Sequence, residues 1–150
     1  MANYYSNTVL FLGDANAVAE LRHLFWGIQH QQQLTNRYYL PDFVNDGTGY
    51  LEDVSFSGHW INYESRWTPN HYLLTQLAER YHVDFITGFD EMNSGVYGEA
   101  LYTNGALISV YRDARDKKAT ANDPSWLAFR EQRDVLLEAY AETGHELHLR

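Results

Sequence analysis

The period of the apolar positions changes along this chain, and each change marks an element. From Ser6 to Gly13, Val9 and Phe11 alternate with Thr8, Leu10 and Leu12, so a strand with two apolar faces is predicted, central in its sheet. Gly13-Asp14 breaks it, and the Asp14 carboxylate is placed to cap a helix. Val18, Leu21, Phe25 and Ile28 then form one apolar stripe on a helix that extends to about Gln33. Residues 34–49 are irregular, with Pro41 and the turn cluster Asn45-Asp46-Gly47-Thr48-Gly49. Strands follow at about 50–57 and 60–67, joined near Gly58; Val54 and Phe56 share a face of the first, and Ile61, Tyr63 and Trp67 a face of the second.

At Thr68-Pro69 the pattern turns helical. Threonine is a good N-cap and proline suits the first helical position, where its missing N–H costs nothing. A helix over 69–81 carries Tyr72, Leu73, Leu77 and Tyr81, and a strand at 83–89 follows it. Val96–Thr103 and Ala106–Arg112 flank Asn104-Gly105, the dipeptide that favours a type I′ hairpin turn. After a polar stretch at 113–123, Asp123-Pro124 opens a last helix with Trp126, Phe129, Leu136, Leu137 and Tyr140 inward, and Gly144 stops it. The order is βαββαβ, a split β-α-β sandwich of the ferredoxin-like type, extended by a C-terminal β-hairpin and a terminal helix. The fold class is α+β, with the helices expected on one face of an antiparallel sheet. Residues 1–112 form the ferredoxin-like unit; the linker and helix of 113–150 are expected to pack on the same single domain.

Composition narrows the function classes. The 150 residues contain no cysteine, which removes disulfides, thiolate metal sites and cysteine nucleophiles together. No stretch is apolar enough to span a membrane, and the N-terminal residues carry no signal-peptide pattern, so a cytoplasmic location is expected. Net charge is −9, unevenly placed: residues 1–100 hold 12 acids and 4 bases, and the windows 38–65 and 81–111 hold no Lys or Arg. Such a chain repels phosphate backbones, so direct nucleic-acid binding is disfavoured and a partner with a basic surface is favoured. Twelve tyrosines supply side chains with an apolar body and a polar tip, suited to sheet faces and to interfaces.

Reactive constellations are sparse. None of the seven histidines forms an HExxH pair, and His145 and His148 lie near the C-terminus. No serine sits in a G-x-S-x-G elbow, and Gly95-Val96-Tyr97-Gly98 leads into a strand rather than a phosphate-binding helix. The basic cluster Arg112, Arg115, Lys117 and Lys118 is interleaved with Asp113 and Asp116, as in a solvated linker. Asp90, Glu91 and Glu99 lie where one strand ends and the hairpin begins, and are expected to converge at a sheet edge with Tyr97 and Tyr102. Clustered carboxylates suit acid–base work or a cation; acids at strand ends also guard exposed edges.

Several short motifs resemble the YubB-type ferredoxin-like domain family of plasmids and phages. They are Met1-Ala2-Asn3 with Asn7 and a strand ending at Gly13, Trp67-Thr68-Pro69, Tyr81-His82-Val83-Asp84-Phe85, and Asp90-Glu91 followed by Gly98 and an Asn-Gly turn. The similarity spans residues 1–112. Asn70 stands where that family usually has a second proline, and the terminal helix falls outside the match. The resemblance implies a ferredoxin-like sandwich and a home on a mobile genetic element, with no defined reaction. "Ferredoxin-like" denotes topology alone, since a chain without cysteine has no ordinary ligands for an iron–sulfur cluster.

The function expected is therefore non-enzymatic: a protein-binding or regulatory protein, or in a sharper form an acidic inhibitor of a defence nuclease. Its expected binding residues are Asp53, Trp60, Tyr63, Glu64, Asp90, Glu91, Tyr97, Glu99 and Tyr102, with no cofactor or metal. The alternative is a small enzyme or small-molecule or metal binder using Asp90, Glu91 and Glu99. Strand 50–57 and the final hairpin are edges that a second copy would pair with, Trp60 or Trp126 anchoring it; monomer and homodimer both fit the sequence.

Overall fold

The computed structural model describes residues 4–35, 51–91, 93–113 and 124–142. The turn cluster at 45–49, the acids Asp42 and Asp46, the stretch 114–123 with its basic residues and Asp123, Gly144, and the pair His145 and His148 lie outside the described residues. The elements are β1 (Tyr4–Leu12), α1 (Ala15–Thr35), β2 (Glu52–Ser57), β3 (Trp60–Arg66), α2 (His71–Tyr81), β4 (Asp84–Glu91), β5 (Val96–Thr103), β6 (Ala106–Asp113) and α3 (Pro124–Glu142). The strands form one sheet in the order β2-β3-β1-β4-β5-β6, with every neighbouring pair antiparallel.

β1 is central, as its two apolar faces require, and successive side chains feed opposite layers. Val9 and Phe11 join Leu21, Phe25, Ile28, Ile61, Tyr63, Leu73, Leu77 and Phe85 in the core beneath α1 and α2. Leu10 and Leu12 join Ile86, Leu101 and Phe129 in a second core beneath α3. The terminal helix thus covers the opposite face of the sheet, which corrects the expectation of helices on one face. The reason is topological. α1 and α2 lie in β-α-β crossovers, whose handedness puts both on the same side. α3 follows a hairpin, is free of that rule, and covers the apolar row that α1 and α2 leave open.

Local signals explain most boundaries. Asp14 Oδ2 accepts the backbone N–H of Asn16 at 3.1 Å and of Ala17 at 3.3 Å, capping α1. Asn104 and Gly105 both have positive φ, 52° and 75°, as a type I′ turn demands. The start of α2 differs from the sequence reading. Thr68 Oγ1 accepts the N–H of Asn70 at 3.0 Å, a turn of its own, and Asn70 in the left-handed region (φ 62°) precedes the first helical residue, His71. Trp67, at φ 69°, leaves the β3 alternation and points outward, 57% exposed, instead of sharing the face of Ile61 and Tyr63.

Candidate protein-binding face

Strand register decides which polar residues meet. Directly paired residues project to the same side, so the pairs Glu52↔Glu64, Ser6↔Glu64, Ser6↔Asp90, Asp90↔Tyr97 and Tyr97↔Arg112 lay one continuous row across all six strands. The next row on that side is Ser55, Asn62, Thr8, Gly88, Glu99 and Val110. Both rows occupy the face that α3 covers, and α3 reaches only part of it. Trp126 lies against Tyr97, ring centroids 5.8 Å apart; Arg133 Nη1 donates to Glu99 Oε1 at 2.7 Å; and the Tyr140 hydroxyl donates to Asp84 Oδ2 at 2.8 Å. The β1–β3 side remains polar and accessible: Ser6 and Asp90 are exposed, and Thr8, Asn62 and Glu64 are half-buried.

Glu64 and Asp90 stand two strands apart, on the order of 10 Å at ordinary strand spacing. That is too far to share one ion and close enough to meet two cations of one partner surface. Beyond Glu64, Asp53 sits exposed in a β2 bulge at φ 50°, and the Glu64 carboxyl is pushed up by burial first, then by a hydrogen bond to Asp53 and the charges of Asp53 and Glu52. Glu52 is itself buried and held by Arg66, Nε to Oε1 2.5 Å, while Arg66 lies over the Tyr4 ring at 5.7 Å.

Of the expected binding residues, the structure places Glu64, Asp90, Tyr97 and Glu99 on this face, with Trp60 half-buried at the margin of the α3 core and Asp53 at the bulge. Three do not belong there. Tyr63 is 1% exposed beneath the helices, its phenol driven up by burial. Tyr102 lies stacked on Phe85 in the same core, centroids 5.5 Å apart. Glu91 alternates to the α1/α2 side, where Ser94 donates to its carboxylate. The expected convergence of Asp90, Glu91 and Glu99 is thereby corrected, and their strands are interior; the edges are β2 and β6. Trp126, offered as an anchor for a second copy, is buried at 6%. Sequence reading missed Ser6, Thr8, Asn62 and Arg133; the first three follow from strand parity once the register is known.

A second polar group lies on the other face, near the start of α2. Asn7 is 1% exposed and donates through Nδ2 to Ser65 Oγ at 3.0 Å. His71 packs edge-on to Phe89, centroids 5.2 Å apart, and burial lowers its imidazole to about 4. Gln76, Glu79, Arg80 and His82 line a shallow hollow at the far end of α2. Among the described residues no three His, Asp or Glu side chains are grouped to hold a metal ion, and no described helix is long and apolar enough to cross a membrane.

The model of the family described as "Ferredoxin-like domain in Api92-like protein" matches residues 48–133, more than half of the chain. The chain belongs to this family. The match to the Api92-like domain begins just before β2 and ends within α3, so it includes the first half of the helix on the second face. It supports the ferredoxin-like α+β fold directly. No curated protein and no solved structure matches the chain.

Proposed function

We propose that this Api92-like domain is a non-enzymatic binding protein that docks its acidic sheet face on a basic surface of a partner protein. The observation that carries the reading is the row Glu64, Ser6, Asp90 and Tyr97, which puts two separated carboxylates on the part of the sheet face that α3 leaves open, with a 40%-exposed tyrosine where the helix meets it. Opposed charge speeds encounter and fixes orientation, and an aromatic at the rim of a charged row supplies apolar contact. The net charge of −9 favours a basic partner over nucleic acid. The resemblance to plasmid and phage domains extends the proposal to a regulator encoded on a mobile element and acting in the cytoplasm. In its sharpest form the carboxylates stand in for DNA phosphates before the basic groove of a defence nuclease. The enzyme reading is weaker, because Glu91 faces the other way and Arg133 neutralises Glu99.

The test is affinity capture from host lysate at low and high salt, with identified partners remeasured as pure proteins. Glu64→Lys with Asp90→Lys should reduce affinity at least tenfold and flatten its salt dependence. Capture that is indifferent to both charge reversal and salt would sink the reading.

A further inference from the structure

At the far end of the same sheet row lies a cation that the proposed function does not use. Arg112 on β6 is 8% exposed, its Nη2 has no hydrogen-bond partner, and among the described residues no carboxylate pairs with it. A guanidinium withdrawn from water without a counter-charge is costly, so such groups pair with an anion. The Arg112 guanidinium carbon lies 4.9 Å over the ring of Trp126, the third residue of α3, and that of Arg130 lies 5.9 Å from the same ring. Trp126 is 6% exposed, and its indole Nε1 also lacks a partner. The first turn of α3, from Pro124, contains no acidic side chain among the described residues. Two unpartnered buried donors and a second guanidinium thus gather around the Trp126 ring.

We propose that this corner binds the phosphate group of a small phosphorylated molecule, with Arg112 and Trp126 Nε1 as direct donors and Arg130 as the outer cation. Two guanidinium groups match a dianion better than a singly charged carboxylate. The forked Arg112 guanidinium suits two phosphate oxygens at once. The ligand is small because Asp90, two strands along the row, repels the neighbouring phosphates of a nucleic-acid strand. The inference does not depend on the proposed protein partner.

The probe is inorganic phosphate, titrated at constant ionic strength against chloride and acetate, with the thermal midpoint and the four tryptophan indole N–H signals followed by NMR. Phosphate should raise the midpoint saturably and move one indole signal, the one lost in Trp126→Phe. Arg112→Gln should weaken phosphate binding roughly tenfold or more. Without phosphate it should melt no lower than the wild type, because it removes an unpaired buried charge. Arg130→Gln, at an exposed position, should fold normally and weaken phosphate binding several-fold, which keeps the test decisive where Arg112→Gln fails to fold. The proposal is overturned if phosphate does no more than chloride, or if acetate matches it. Tighter binding of a single-stranded oligonucleotide, or a phosphate response that survives both arginine substitutions, also overturns it.

Discussion

A methyl group at Gly98 of β5 has no room. An added Cβ would run into the Val110 carbonyl oxygen, closer than any non-bonded pair, and lie 2.6 Å from Phe89 Cζ and 2.9 Å from Tyr111 Cα. Two of those atoms are backbone of β6, so rotating a side chain does not relieve the clash; the edge strand must move. Overpacking of this kind costs about 1–3 kcal/mol, set against about 0.4–1 kcal/mol gained by stiffening the unfolded chain. Gly88, one strand away on the other face, is the control. Its added Cβ would lie 3.4 Å from Thr8 Oγ1 and 3.8 Å from the Gly98 carbonyl oxygen, which is ordinary contact. Gly98→Ala should therefore lose roughly 1–3 kcal/mol, lowering the thermal midpoint by about 2–4 °C for each kcal/mol. Gly88→Ala should stay within about 0.5 kcal/mol of the wild type. Urea unfolding followed by circular dichroism measures both, and hydrogen exchange at the β6 amides locates the damage. Equal effects of the two substitutions, or a neutral Gly98→Ala, would refute the reasoning.

Phe129, 1% exposed in the α3 core, should cost about 3–5 kcal/mol on truncation to alanine, with exchange protection lost first in α3; urea titration and hydrogen exchange check this. Burial holds the His71 imidazole at about 4, so from about pH 6.5 down to 4 the unfolded chain takes up a proton that the folded chain refuses. Stability from this residue is complete above about pH 6.5 and is lost as pH falls, by on the order of 3 kcal/mol across the interval. Wild type minus His71→Phe, measured by urea midpoints at pH 7.5 and 4.5, isolates that change, and a constant difference would exclude it. Arg66→Gln strands the buried Glu52 carboxylate and should destabilise more than Glu52→Gln, a ranking that thermal melts read directly.

The parts of the fold written in local chemistry were legible in advance: the Asp14 cap, the α1 stripe, Asn104-Gly105, and β1 with its two apolar faces. The α2 start was misplaced because the Thr68 hydroxyl takes the Asn70 N–H, and a competing turn of that kind leaves no mark on hydrophobic period. The side chosen by α3 was missed because no handedness rule governs a helix after a hairpin, although Leu10 and Leu12 already demanded a second layer. For the candidate face, alternation alone separates Asp90 from its neighbour Glu91, and Tyr63 shares parity with Ile61. Tyr102 required the β4–β5 register, and Arg133, 34 residues from Glu99, required the packed helix.

Among the described residues β6 ends the sheet, with eight residues whose outer hydrogen-bonding groups face no described strand. Leu107, Ile108 and Tyr111 are exposed along it, and positions 106–111 contain neither charge nor proline. β2 at the opposite margin is bulged at Asp53 and charged. The two margins therefore differ in how readily they accept an added strand. Concentrated solutions should grow by annealing at the β6 margin, and a lysine at Ser109 would blunt it without touching either core.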